Sequence, residues 1–201
     1  MTTLAVADVH GCFSTLTEQL KPYLHEGLDV IFLGDLIDRS PEPDGDLNVL
    51  ELVRLMEAEP QLFGCNSVKV LKGNHEGLFC DAVYHEDYEL WEWNGGCVPA
   101  IDDLKQHLEW MWSLPSYEVR GDYLFVHAGV RPGIPINKQS EHDLIWIRDP
   151  FINADHHGLP YTVVHGHTIN PSFEIEEYPG RIAMDCGSFH SGVIGMRTFD
   201  C

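Results

Sequence analysis

The sequence predicts an α/β domain with layered sheets. Three observations carry that expectation. The chain has 201 residues, of which 44% are hydrophobic, enough for one globular core. Short β-like runs recur along it, with helix-like segments between the early runs and a strand-rich second half. No internal repeat, low-complexity tract or linker divides it, so residues 1–201 read as one domain.

The elements follow in order. TLAVA at 3–7, DVIFL at 29–33 and SVKVL at 67–71 are apolar runs of strand length. YLFV at 123–126, YTVV at 161–164, RIAM at 181–184 and the run at 193–198 continue the series. Helices are expected near 14–21, 47–57, 76–85 and 99–112. Ser14, with Glu18 close behind, suits the N-cap of the first, and Pro22 its stop. SPEPDGD at 40–46 is a loop, whose Asp46 suits a cap on the second helix.

Composition narrows the function classes. No run approaches the roughly 18 apolar residues of a membrane span. The N-terminus lacks a basic start, and Asp8 interrupts its apolar stretch, so it does not read as a secretory signal and a cytoplasmic protein is expected. The six cysteines include no CxxC pair, which favours reduced thiols over disulfides or a zinc ribbon. Twelve Lys and Arg against thirty-two Asp and Glu give a net charge of −20, which repels nucleic acid and anionic lipid. An anionic substrate would need local positive charge, and metal ions are one way to supply it.

Polar residues gather at five strand ends. DVHG follows the first strand, GDLIDR the second, GNHE the third, HAG the run at 123–126 and HGHT the run at 161–164. Ligands bind at the carboxyl ends of strands in open α/β sheets, so the five ends can converge on one site. Asp8 and His10, two apart on an extended segment, point to one face and suit a single ion. Asp35, beside Gly34, has two oxygens and can bridge two metals. Asp38 and Arg39 alone read more readily as an acidic turn with a surface salt bridge. Asn74 suits a hard or borderline divalent ion without adding charge, but an N-cap role competes for the same side chain. His127 and His167, each judged singly, read more readily as buried hydrogen-bonded histidines than as ligands.

In this order the five clusters resemble the metal-dependent phosphoprotein phosphatases of the calcineurin-like metallophosphoesterase superfamily. The closest resemblance is to the small bacterial and bacteriophage serine/threonine phosphatases. WEWNGG at 91–96, LIWIRDPF at 144–151 and MDCG at 184–187 are similar to that branch too, so the likeness runs from residue 7 to about 187. Arg39 after GDLID, and the WIR segment, point to the protein phosphatases and away from phosphodiesterases and nucleases.

The resemblance implies a two-sheet β-sandwich flanked by helices, with a two-metal site at one edge. It implies that Asp8, His10 and Asp35 hold one metal. Asp35 then bridges to a second, completed by Asn74, His127 and His167. His75 is implied as the catalytic acid oriented by Asp38, with Arg39, Arg148 and Asn74 at the phosphate. The implied reaction is in-line attack of a metal-bridging hydroxide on phosphoserine or phosphothreonine, and by extension phosphotyrosine, in a phosphoprotein or phosphopeptide. The mixed ligand set tolerates Mn, Fe, Zn, Co or Ni, and the bacterial and phage likeness puts manganese first. Symmetrical diadenosine tetraphosphate hydrolases share these motifs and form the alternative. Two departures stand out: Lys72 precedes GNHE where the family often has Arg, and Ser40-Pro41 replaces its common Gly-Pro. In HGHT, the resemblance assigns His167 to the metal and leaves His165 to packing or support. The sequence carries no signal for oligomeric state.

Overall fold

The computed structural model describes residues 2–201. Strand–helix alternation opens the chain: β1 (Thr2–Val6), α1 (Phe13–Leu20), β2 (Asp29–Phe32), α2 (Gly45–Ala58), β3 (Ser67–Val70) and α3 (Asn74–His85). Short helices follow, α4 (Glu89–Trp93), α5 (Ile101–Leu104) and α6 (Leu108–Ser113), then β4 (Tyr117–Arg120) and β5 (Tyr123–Val126). The remainder is α7 (Glu141–Trp146), β6 (Thr162–His165), β7 (Glu176–Tyr178), β8 (Arg181–Ala183), α8 (Ser188–Ser191) and β9 (Met196–Asp200).

The strands form two sheets, ordered β3-β2-β1-β9 and β4-β5-β6-β8-β7. β1, β2 and β3 run parallel, as do β5, β6 and β8, and β4, β7 and β9 pair antiparallel with their neighbours. Side-chain alternation sorts the core into layers. Ala5, Ile31, Phe125, Val164 and Ile182 meet in the cluster between the sheets. Leu4, Val6, Val30 and Phe32 face the other way, into the helical layer with Leu16, Val53 and Phe79. Leu124, Val126 and Val163 cover the far face of the second sheet with Leu144 and Phe151. This is the two-sheet sandwich with flanking helices that the resemblance implies.

Local chemistry departs from the expectations at the helix ends. Ser14 lies inside α1, where its N–H and hydroxyl donate to the Glu42 carboxylate at 2.9 and 2.6 Å; the cap comes from a distant loop. Asp46 sits in the first turn of α2 and caps nothing. Gly73 is the N-cap of α3, and Glu76 accepts its N–H at 2.8 Å, so Asn74 is released from capping. The helix expected over 99–112 breaks into α5 and α6 around a 3₁₀ turn at Lys105–His107. No helix among the described residues is long and apolar enough to cross a membrane.

Candidate active site at the strand ends

The loops after β1, β2, β3, β5 and β6 meet along one edge of the sandwich. Backbone bonds bind them in pairs. Val9 and His10 N–H both donate to Asp35 O at 2.9 Å, and Gly166 N–H donates to His127 O at 2.8 Å. The Glu76 carboxylate, fully buried, accepts three N–H groups: Gly73 at 2.8 Å, Asp35 at 3.0 Å and Leu36 at 2.7 Å. It thereby fixes the second and third loops to each other.

The approach is close enough to demand glycine. A β-carbon at Gly34 would lie 2.4 Å from Gly73 N, and one at Gly166 would lie 1.9 Å from Asp8 Oδ1. Strain is concentrated on the polar residues themselves. His10, Asp35, Asp38, Arg39 and His167 all take left-handed backbone conformations, with φ of 47, 52, 70, 62 and 64°. Non-glycine residues hold such angles at a cost of about 1–3 kcal/mol each, and sites of function are where such residues cluster.

Asp35 is the centre of the constellation. Its Oδ2 lies 3.4 Å from His127 Nε2, 3.7 Å from His10 Nε2 and 3.9 Å from His75 Nε2. Asn74 Oδ1 lies 2.9 Å from His127 Nε2 and 2.7 Å from His167 Nδ1. Two compact triads result, His10–Asp35–His75 and Asp35–His127–His167, each with its ligand atoms within 4.8 Å of one another and every member buried. They share Asp35, as a bridging carboxylate would require. Asp8 falls in neither triad; its Oδ2 accepts the His167 N–H at 2.9 Å.

The donor set fits divalent metals. His10 Nδ1 and His127 Nδ1 lie 3.0 Å from the carbonyls of Ile37 and Leu33, so each donates there and turns the Nε2 lone pair inward. Asp8 Oδ1 and His167 Nε2 are buried with no partner in the protein. Orphaned acceptors beside a mixed Asp/Asn/His set are what a bound cation satisfies. Arg39 Nη1 is 3.1 Å from His10 Nε2, so a metal on His10 and this contact are competing uses of one lone pair.

His75 is committed differently. Its Nδ1 donates to Asp38 Oδ2 at 2.7 Å, and Trp91 Nε1 donates to Asp38 Oδ1 at 2.9 Å. Burial works against a charged His75, yet the Asp35 and Asp38 carboxylates outweigh it and raise its pKa. Burial likewise pushes Asp35 up, but His127 and His75 overcome it and hold that carboxyl well below its ordinary value. Asp35 in turn reverses the burial of His127 and pushes it up to about 9. Burial pushes His10 down to about 3 and, aided by the His127 charge, His167 down to about 2. Burial and the neighbouring Asp185 raise Asp8 well above the carboxylate range.

The arginine side is less enclosed. Arg39 is half-buried, with Nε donating to Asn94 O at 3.2 Å and the guanidinium 5.2 Å from the Phe189 ring centroid. Arg148 is exposed after α7, close enough for its charge to disfavour a protonated His167. Lys72 pairs with Glu141 at 2.9 Å, turned towards α7. Ser40 Oγ lies within hydrogen-bond reach of Gly11 O at 3.0 Å and Glu42 O at 2.9 Å, so the Ser-Pro departure ties the acidic loop to the first strand end. His165 faces away from the site, with Nδ1 3.1 Å from Gly166 O and Nε2 3.3 Å from Arg181 Nη1. Neither Trp91 nor Glu76 is marked by its residue type as part of the site, Glu76 reading only as a first-turn helix residue. Both lie in motifs quoted above, WEWNGG and GNHE, which were the available signal.

A family model described as calcineurin-like phosphoesterase matches residues 1–186. The chain is 28% identical over 184 residues to serine/threonine-protein phosphatase 1 of Salmonella typhimurium, covering 78% of this chain and 76% of that one. It is 29% identical over 140 residues to the symmetrical bis(5'-nucleosyl)-tetraphosphatase of Neisseria meningitidis, covering 69% of this chain and 47% of that one. This chain thus spans under half the length of the tetraphosphatase. Among solved structures, a cold-active protein-tyrosine phosphatase of a psychrophilic Shewanella species matches with a TM-score of 0.67 at 16% identity. That match covers 99% of this chain and 75% of the other and shows a shared fold.

Proposed function

Because the chain belongs to the calcineurin-like phosphoesterase family, we propose that it is a dinuclear metal-dependent phosphomonoesterase that removes phosphate from phosphoserine and phosphothreonine in proteins, with phosphotyrosine as a lesser substrate. The observation that carries this reading is the His75–Asp38 dyad at 2.7 Å, set 3.9 Å from the shared Asp35 and beside the half-buried Arg39. The match to a protein phosphatase over three quarters of both chains supports the same reading.

Asp8, His10 and Asp35 would hold one divalent ion, and Asp35, Asn74, His127 and His167 the other, with His75 kept free by its bond to Asp38. Two such ions, manganese first among the candidates, supply the acidified water and the Lewis acidity that in-line phosphoryl displacement needs. Within the protein, Arg39 and Arg148 orient the phosphate oxygens through paired donors. As the ester P–O bond breaks, His75 Nε2 gives its proton to the departing alkoxide. Asp38 fixes the His75 tautomer and favours the charged ring, and Trp91 holds Asp38 in place. Burial of the dyad excludes bulk water from that proton. The −20 charge disfavours nucleic acid and anionic membranes as partners.

The test is a substrate panel with Mn²⁺. We expect hydrolysis of p-nitrophenyl phosphate and of phosphoserine peptides to exceed that of diadenosine tetraphosphate. Release of ADP from the dinucleotide, with phosphopeptides untouched, would replace this reading by the tetraphosphatase one.

A further inference from the structure

Arg181 opens β8 on the face of the second sheet that turns away from the first, and it is only 8% exposed. Arg120, Arg131 and Arg197 each pair with a carboxylate. Arg181 makes no ion pair among the described residues. Its guanidinium stacks on the Tyr178 ring, 3.8 Å from the centroid. Nη1 and Nη2 make long contacts of 3.3 Å to His165 Nε2 and Ile152 O. The carboxylate that acts on it is Glu176, whose oxygens accept the Ser172 and Tyr178 hydroxyls instead. A guanidinium has five N–H donors, so capacity is left over. A buried cation with no carboxylate in direct contact is costly unless something completes it.

A cavity of ≈ 250 Å³ opens against this guanidinium. Thr168, Asn170, Tyr178 and Arg181 are prominent in its polar wall, Ile152 and Ile169 in its apolar one, and no acidic residue lines it. His165 is buried, and its Nε2 is the 3.3 Å neighbour of Arg181 Nη1. The Thr168 hydroxyl is buried with no partner in the protein. In a chain of net charge −20, this cavity's one charged wall is positive.

We infer that this cavity binds a small oxyanion, a phosphate or a carboxylate, through the Arg181 guanidinium and the Thr168 hydroxyl. Planar paired donors suit both anions, and the apolar wall suits a short organic body behind the charged head. Thr168 directly follows His167, so an anion that fixes Thr168 also steadies the left-handed turn at His167. The site is separate from the proposed phosphate grip and does not depend on the phosphatase reading.

The test titrates the metal-loaded protein with inorganic phosphate and, separately, acetate, while thermal unfolding is followed. Each anion is expected to raise Tm by about 3–6 °C at roughly ten times its half-saturating concentration. Thr168→Val keeps the side-chain shape and is expected to raise that concentration about ten-fold or more; Arg181→Lys, which loses the fork, should do the same. Arg39→Gln should leave the acetate response intact. Crystals soaked in selenate should show the anion within hydrogen-bond reach of Arg181. An unchanged midpoint in Thr168→Val overturns the proposal even if Arg181→Lys fails to fold. So does an acetate response abolished by Arg39→Gln, or selenate bound elsewhere only.

Discussion

Two donors converge on Asp38: His75 Nδ1 at 2.7 Å and Trp91 Nε1 at 2.9 Å. A carboxylate held from both sides cannot rotate, so the His75 ring keeps Nε2 turned towards Asp35. If His75 protonates the leaving group, its removal should matter most where the leaving group is a strong base. His75→Asn is expected to lower kcat on a phosphoserine peptide by about 10²–10⁴. The loss on p-nitrophenyl phosphate, whose phenolate leaves unaided, should be at least ten-fold smaller on the same scale. Equal losses on the two substrates would remove His75 from the proton-donor role. The His75–Asp38 pairing was legible as a resemblance, because both residues sit in short motifs after strands. Trp91 was not, since a fully buried Trp in a helix reads as core, and only the tertiary contact shows its N–H aimed at Asp38.

Among the elements, α7 shows why some of the fold was hidden in the sequence. It is six residues long, too short for a helical period to register. What holds it is local chemistry: Ser140 Oγ accepts the Asp143 N–H at 3.0 Å, and Asp143 takes a two-point bond from Arg131 at 2.8 and 2.5 Å. β4 and β7 were hidden for a related reason. They are edge strands with partly or mostly exposed faces, and pairing with β5 and β8 makes them strands. The central strands were legible because both faces are buried and they read as continuous apolar runs. Asp143 also permits a pH prediction. Its hydrogen bonds from Arg131 hold its carboxyl below the ordinary value. A carboxyl depressed on folding adds stability above its unfolded pKa, about 3.9, and loses it as pH falls through the folded pKa. Arg131→Gln should therefore be less stable than the parent at pH 7, and the gap should narrow as pH is lowered from about 6 to 3. A gap in Tm that stays constant over that range would mean the pair contributes through packing instead of charge.

On the scale of the whole molecule, the candidate site is a seam. Asp8, His10, Asp35 and Asn74 come from the ends of the first sheet, and His127 and His167 from the ends of the second. Protein contacts already cross it: His167 N–H donates to Asp8 at 2.9 Å, and Asn74 Oδ1 lies within 2.9 Å of both histidines. The seam also gathers Asp8, Asp35, Glu76 and Asp185, all buried, into one end of a chain that is strongly anionic throughout. Burial, reinforced by neighbouring carboxylates, raises Asp8, Glu76 and Asp185, so without cations this edge opposes its own folding. Ions bound there would relieve the repulsion and tie the two sheets together, and they would do so only in the folded state. Binding to the native state alone stabilises by about 4 kcal/mol at roughly a thousand times Kd. For a chain of this size that corresponds to a fall in Tm of about 8–16 °C when EDTA removes the metals. His167→Ala should lower metal content and reproduce much of that fall, because it opens the second-sheet side of the seam. His165→Ala, whose side chain faces Arg181, should keep the parent's metal content and its response to EDTA. If EDTA shifts Tm by less than about 1 °C, the cluster does not couple metal binding to closure of the sandwich. If His165→Ala loses metal while His167→Ala keeps it, the two histidines exchange roles.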